Sequence, residues 1–556
     1  MTLLNNFNTL TKHPQNAEEL KGLILQLAIQ GKLTENWRQE HPNVESASEL
    51  LERIKAKKQL LVEQKKIRIE KPKKEFMKES FQFEIPDTWV ARNITEFYST
   101  IGSRVNQVKS KNYLESGKFP VVSQGKRLIE GYYNEESKLL KLEKPVIVFG
   151  DHTKIVKYID FDFIIGADGT KILQTFEGVD TSYFFMHCSF YDLSDKGYAR
   201  HYSLLKQQAF SLPPLDEQKA IVAIVNELFK EVEQLEGLTK TRIQLKEDFV
   251  TSALQRLTET DNVNQEWQFL QTHFTEFFTE KDNVKQLRDT ILQLAIQGKL
   301  TTKWRSQNPC TEPVSELLKR IQTEKQELIA QKKIKKEKPL PPIKDHEKPY
   351  DLPEGWVWCR LTELTNVGTG STPSKTKSEY YGGDIPWYTS SATNDVFAKV
   401  QDVMITQKAL DETNCKIFPE GTLIIAMYGQ GKTRGQISEI VVPGATNQAI
   451  AGMMFFESSK ETKQYLKYFF QKFYQEIRLL AEGGAQPNLN VGKVKATLIP
   501  LPPLEEQKAI VKQVNILMAL CDNLEEHIEH SQTQIEQLMQ SCLREVFEER
   551  KEVTNE

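Results

Sequence analysis

The chain has 556 residues, 39% of them hydrophobic and 27% charged, and its 73 Lys and Arg against 76 Asp and Glu leave a net charge of −3. That is room for about three or four domains with sizeable cores, in the ordinary composition of a globular protein. It excludes a disordered polyelectrolyte and, with no apolar run of about 18 residues, a helical membrane span; near-neutral charge does not decide on nucleic acid, which needs a basic face rather than a basic chain.

The chain starts with MTLLNNFNTLTKHPQ, which lacks a charged start followed by an apolar core, so no signal peptide is expected. Next comes ILQLAIQGKLT at Ile24–Thr34, repeated without change at Ile291–Thr301, an offset of 267 (291 − 24). The same offset carries Trp37 onto Trp304, Gln64 to Ile67 onto Gln331 to Ile334, and Pro86 and Trp89 onto Pro353 and Trp356. A second repeat, LPPLDEQKAIV at Leu212–Val222 against LPPLEEQKAIV at Leu501–Val511, has an offset of 289 (501 − 212), so the second insert is longer by 22 (289 − 267). Repetition of this kind marks duplicated structural units. The expected organisation is a helical frame at 1–75, a globular domain at 76–211, a coiled-coil helix at 212–281, the second frame copy at 282–341, a second domain at 342–500 and a closing coiled-coil helix at 501–556.

Within the frames, the helical segments from Ser48 and Ser315 are strongly basic on one side, which suits either a solvated helix face or contact with a DNA backbone. In the first insert, KPVIVFG, FDFIIGA, TKILQTF and Phe119–Ser123 predict strands between Gly and Asp turns. Its turns carry polar and basic residues of the kinds that reach phosphates and base edges: Ser123, Gln124, Lys126 and Arg127, then His152 and Lys154, then Lys171, then Arg200 and His201. Taken singly, each is an ordinary polar turn.

Beyond that insert, Pro213-Pro214 end a strand and Asp216 opens a helix whose positive end suits a carboxylate. Apolar residues recur there at Ile221, Val225, Leu228, Val232 and Leu235, and in the last segment at Ile510, Val514, Leu517, Cys521, Leu524, Ile528, Ile535, Leu538 and Cys542, a coiled-coil seam interrupted by Ser531. In the second insert GTLIIAMYG and ISEIVVPG read as strands and Glu461 to Glu482 as a helix. Its polar candidates are Ser371, Thr372, Ser374, Tyr388, Gln430, Lys432, Thr433, Arg434, Asn447, Gln486 and Asn488, although a core role suits Trp387 and Tyr388 better than base contact. Both inserts are α+β in character.

Catalytic signatures are missing. GQGKT at Gly429–Thr433 imitates a phosphate-binding loop but has Ala426 where that pattern needs glycine. Asp151-His152 suggests an acid-base pair, yet no GxSxG, HExxH or GxGxxG motif accompanies it, nor the Asp/Asn-Pro-Pro-aromatic tetrad of adenine methyltransferases. The six cysteines, Cys188, Cys310, Cys359, Cys415, Cys521 and Cys542, form no CxxC pair and read as reduced cytoplasmic thiols; no metal site is expected.

The duplicated LPPLxEQKxIV frame, the two unlike inserts and the turns GTPS, YYGGDIPW, TNQA and GGAQPNLN resemble the specificity subunits of Type I restriction-modification systems over nearly the whole chain. FGDHTKIVKYIDFDFIIGADGTKIL and GYARHYS look like one class of target-recognition domain of that family, and STPSKTKSEYYGGDIPW like another. The resemblance implies an α+β fold of two α/β target-recognition domains separated by long antiparallel coiled-coil helices with a pseudo-twofold internal repeat. It implies a non-catalytic subunit that reads an asymmetric, bipartite site in double-stranded DNA. Two methyltransferase subunits and the restriction subunits would dock on it; S-adenosylmethionine, ATP and Mg would sit on those partners, and no membrane would be involved. The competing readings are a tethering protein with protein-binding inserts and a self-sufficient cutting and methylating enzyme, the latter disfavoured by the missing motifs.

Overall fold

Identical sequence produces identical local chemistry in the two frames. A computed structural model describes residues 16–67, 70, 84–166, 169–191, 193, 200–260, 262–309, 312–428, 433–474, 476 and 489–548. The chain divides into two units, residues 1–243 with 535–556 and residues 244–534.

In the first unit, helix Asn16–Ile29 buries Ala17, Leu20 and Leu23 against Val232 and Met539. Helix Ala47–Glu63 starts at a capping box, in which the Ser46 hydroxyl accepts from the Glu49 amide and the Glu49 carboxylate accepts from the Ser46 amide. The centre of this frame is Glu217, from the EQKAIV repeat. Fully buried, it accepts from Thr34 Oγ1 at 2.7 Å, Arg38 at 2.6 Å and Trp89 Nε1 at 2.9 Å. A buried carboxylate is tolerable only when paired and hydrogen-bonded in this way. Gly31, at φ 73°, lets the chain pass under Pro86, whose ring would lie 2.6 Å from an added Cβ.

The second unit repeats the buried glutamate and the glycine turn, while its helix Val314–Ala330 starts at Pro313 without a side-chain cap. Glu506 is buried and accepts from Thr301 Oγ1 at 2.7 Å, Arg305 at 2.9 Å and Trp356 Nε1 at 2.9 Å. Helices Lys281–Ile296 and Val314–Ala330 supply the frame, Gly298 has φ 70° beneath Pro353, and Lys332 adopts the same φ of 56° as Lys65.

Each insert opens and closes on one antiparallel strand pair. Val90–Asn93 lies against Ala209–Leu212 with Val90 opposite Leu212, and Val357–Arg360 lies against Leu498–Leu501 with Val357 opposite Leu501. Inside the first insert, one antiparallel sheet has the order Tyr98–Ile101, Thr170–Thr175, Val146–Gly150, Val156–Ile159, and a second has the order Gly131–Tyr133, Phe119–Val122, Ile164–Ile165 with the last pair parallel. Inside the second, Thr365–Thr369, Ile450–Phe455, Leu423–Ala426, Ile437–Ile440 reproduce the first order and add Phe397–Ala398 at the edge. Its other sheet pairs Tyr381–Tyr388 in parallel with Gly444–Thr446. The expected strands are all present, and the topology is shared despite the unlike sequences. The helix expected at 461–482 is observed over Lys463–Lys472, while 475 and 477–482 fall outside the described residues.

Two helices of 45 residues, Leu215–Glu259 and Leu504–Glu548, follow the inserts; at 1.5 Å per residue each is about 67 Å long. The first passes from the first unit into the second, and the other passes back. The central helix ends earlier than the expected 281, and two short helices, Val263–Thr272 and Phe274–Phe277, fill the remainder. The seam is buried at Ile221, Val225 and Val232 and at Ile510, Val514, Cys521 and Ile528. Near its end Met539 is buried in place of the expected Leu538, which is half-buried. A straight helix drifts about 20° per heptad from a strict repeat, so an apolar seam moves over by one residue. The Cys542 side chain lies outside the description.

Candidate nucleic-acid interface

Parallel pairing within a sheet leaves the carboxyl ends of two strands side by side, and the loops leaving them must satisfy each other's backbone groups. In the first insert Gly166 N donates to Val122 O and Asp151 N donates to Gly169 O, both at 2.7 Å. In the second, Asn447 N donates to Tyr388 O at 3.0 Å and Met427 N donates to Ala449 O at 2.7 Å. Val122, Gly166, Asp151 and Gly169 are therefore the counterparts of Tyr388, Asn447, Met427 and Ala449. One loop edge is built twice from different residues.

The first edge gathers all four candidate clusters of its insert. Gln124 Oε1 accepts from His152 N at 3.1 Å, and its carbonyl accepts from Thr153 Oγ1 at 2.6 Å. Gly169, at φ 89°, closes on this pair so tightly that a Cβ would lie 2.6 Å from His152 Cδ2 and 3.0 Å from the Gln124 amide. Asp151 is the hub: its carbonyl accepts from His201 N at 2.7 Å and its carboxylate from Tyr202 N at 2.9 Å. The carboxylate thus takes part in loop closure. Lys154 stands at φ 62° at the hairpin tip, and Lys171 Nζ lies 5.5 Å from the Tyr202 ring centre. Lys126, Arg127 and Arg200 are exposed. Beneath them Lys157 is buried, donates to Arg127 O, and has its pKa lowered by desolvation.

At the second edge, Ser371 N donates to Thr446 O at 3.0 Å, and an added Cβ on Gly370 would fall 1.7 Å from that same carbonyl oxygen. Thr372 Oγ1 donates to the Gln448 side chain, and the Ser374 and Thr376 hydroxyls are 2.8 Å apart. Asn447 Oδ1 accepts from Ala449 N at 3.0 Å, a turn that asparagine makes with its own loop. Thr433 and Arg434 are half-buried where Gly435, at φ 86°, returns the hairpin to Ala426. Gln430, Lys432, Gln486 and Asn488 lie outside the described residues, as does most of GQGKT.

Three candidates are corrected. Tyr388 is fully buried and its hydroxyl donates to Val442 O at 2.7 Å, so it belongs to the core, as its strand position between apolar neighbours demands. His201 is only 1% exposed, with Nδ1 3.1 Å from Asp151 O, and is spent on loop closure. Ser123 is also buried, its hydroxyl accepting from Gly125 N. None of the three side chains is placed to reach a base edge. The sequence pattern had also missed Asp151 as the hub, because its partners lie 18 and 50 positions away in the chain.

Several cations of the basic frame helices make contacts within the chain. In Ala47–Glu63, Arg53 pairs with Glu45, Lys55 with Glu52 and Lys57 with Glu177, while Lys58 donates to Thr95 O. In Val314–Ala330, Lys319 pairs with Glu316, Arg320 with Glu312, and Lys325 donates to Thr362 O. Burial lowers the pKa of both Lys58 and Lys325. Among the described residues no group of three or more His, Cys, Asp or Glu is placed to hold a metal, and no helix is long and apolar enough to cross a membrane.

Comparison with known proteins matches residues 86–245 and 353–536, more than half of the chain, to the Type I restriction modification DNA specificity domain. The chain is 28% identical to the Type I restriction enzyme EcoAI specificity subunit of Escherichia coli over 91% of its own length and 90% of that protein's. It is 27% identical to the Escherichia coli EcoEI specificity subunit, over 93% and 91%. Among solved structures, the HsdS subunit of Thermoanaerobacter tengcongensis aligns at 15% identity and a TM-score of 0.40, over 84% of this chain and 98% of that one.

Proposed function

Since the chain belongs to the Type I restriction-modification specificity family, carrying its DNA specificity domain twice, we propose that each target-recognition domain reads one half of an asymmetric, bipartite site in double-stranded DNA. The observation that carries this reading is the loop edge built twice on one topology with different side chains: Gln124, Lys154 and Lys171 at one edge, Ser371, Thr372 and Asn447 at the other. A common skeleton with unlike surface groups is what two readers of different sequences require.

The frames have the complementary role of holding the readers at a fixed separation. Helices of about 67 Å exceed the roughly 34–36 Å repeat of one DNA turn, which suits an interrupted site. Two copies of one methyltransferase subunit would dock on the repeated frames, as a repeated surface favours, and restriction subunits would join them. Adenine methylation, S-adenosylmethionine, ATP and Mg belong to those partners in this reading, the present chain is non-catalytic, and the complex works in the cytoplasm. Footprinting of the assembled complex tests it. Two protected patches separated by a gap, with affinity that falls steeply with salt, are expected; a single patch, or affinity indifferent to salt, would overturn the reading.

A further inference from the structure

The equivalence of the two edges exposes an asymmetry in the candidate residues. In the second domain they include Ser371, Thr372 and Ser374, which follow strand Thr365–Thr369. In the first domain the segment in the same place, Gly102 to Gln107 after strand Tyr98–Ile101, holds Ser103, Arg104 and Gln107. Both strands are paired at their ends with the central strand of their sheet, Ile101 opposite Ile172 and Thr369 opposite Ala451. The segment therefore leaves the sheet beside Thr170 and Lys171, at the edge already described.

Its geometry is that of a preformed anion seat. A polar recess of about 240 Å³ is lined by Ser103, Arg104 and Gln107 from this segment, by Thr170, Lys171 and Tyr202 from the edge, and by Glu70. Glu70 is engaged, accepting from Thr100 Oγ1 at 2.8 Å and lying 3.7 Å from Lys206. Arg104 and Lys171, by contrast, have no carboxylate within ion-pair distance among the described residues, whereas the cations of helix Ala47–Glu63 are paired or donate to a carbonyl. The loop is also braced by hydrogen bonds. Ser103 Oγ accepts from Val105 N, Asn106 Oδ1 accepts from Ser103 N at 3.1 Å, and Lys138 Nζ donates to Val105 O and Gln107 O. Val105 at its tip is 66% exposed. A braced loop that presents an arginine lowers the ordering cost of binding.

We infer that Arg104, with Lys171 lining the same recess, grips a backbone phosphate of the DNA beside the first half-site, an inference that rests on the DNA-reading function proposed above. Arginine and lysine facing one recess with hydroxyl donors beside them is phosphate chemistry. A phosphate contact adds affinity without sequence information. The test is binding of the assembled complex to a duplex holding its site and to an unrelated duplex, each over a range of salt, for the unaltered chain, Arg104→Ala and Arg104→Lys. Arg104→Ala is expected to weaken both duplexes by the same factor and to make the slope of log affinity against log salt shallower by about 0.9. Arg104→Lys should restore most of that slope. An unchanged slope for Arg104→Ala, or a loss confined to one base pair of the site, would overturn the phosphate contact. If the unaltered complex itself binds without salt dependence, it is the underlying DNA-reading proposal that fails.

Discussion

The two target-recognition domains make the same hydrogen bonds with different residues, and the two frames make the same hydrogen bonds with the same residues. In the frames, Thr34, Arg38, Trp89 and Glu217 are reproduced one for one as Thr301, Arg305, Trp356 and Glu506, down to equal distances for the threonine and tryptophan contacts. In the domains, Asp151 to Gly169 becomes Met427 to Ala449 and Gly166 to Val122 becomes Asn447 to Tyr388, backbone to backbone. Backbone pairing specifies no side-chain chemistry; a buried carboxylate does. That difference separates the part free to diverge from the part that is not.

The sharpest way to break the comparison is at the buried glutamates. Removing one strands an arginine, an indole N–H and a hydroxyl away from water, and breaking a buried pair costs about 3–5 kcal/mol. Glu217→Ala and Glu506→Ala should therefore lower the thermal stability of their own units by similar amounts; a chain that tolerates one alanine and not the other would show that the frames are not energetically equivalent. Next in size is Gly169→Ala, which forces a Cβ onto His152 at a φ of 89° and should cost about 1–3 kcal/mol. Recognition of the first half-site should suffer while the second is untouched. Equal loss at both halves, measured with duplexes altered in one half at a time, would contradict independent readers.

A third prediction uses a place where the domains differ inside their cores. Tyr183 donates to Ser211 O and Tyr465 to Pro500 O, which aligns His187 with Phe469 one helical turn later. His187 is fully buried between Tyr191 OH and Ser211 Oγ, each 2.9 Å from a ring nitrogen, and burial lowers its pKa to about 3. Unfolded, the same histidine titrates near 6.5, so between these values the unfolded state binds the extra proton and stability falls as the pH falls. At pH 5.5 the first unit should be about 1.4 kcal/mol less stable than at pH 7.5 through this group alone. The second unit, with Phe469, lacks the effect. Unfolding followed separately for the two units should show the acid shift in the first, and its absence there would remove His187 as the cause. The smallest effect is expected of Tyr388→Phe, which deletes one buried hydrogen bond worth about 1 kcal/mol and should leave the DNA site unchanged; altered specificity would return Tyr388 to the interface.

These contrasts also explain what could be read from sequence. The frames were legible because their residues are repeated, and the strands because Val146–Gly150 and Leu423–Ala426 are apolar throughout. The shared topology of the domains was not, since register such as Val121 opposite Ile164 and Trp387 opposite Ala445 is carried by no common residue. The buried glutamates were visible as repeated polar residues beside an apolar helix, but their partners lie 128 to 205 positions away and only the fold brings them together. Ser123 and His201 were misplaced for a related reason, whereas burial bears out the core role that suited Tyr388 better. Polar and aromatic residues next to glycine turns look alike whether a loop closes on itself or opens to a partner, and burial decides between the two.

The proposed function requires two readers that act independently of each other. The most direct measurement replaces residues 76–211 with the corresponding domain of a relative and maps methylated adenines across a genome that carries the exchanged chain with its partner subunits. The predicted result is a new sequence in one half-site, with the other half-site and the spacer length retained. A change in both half-sites, or a changed spacer, would contradict it.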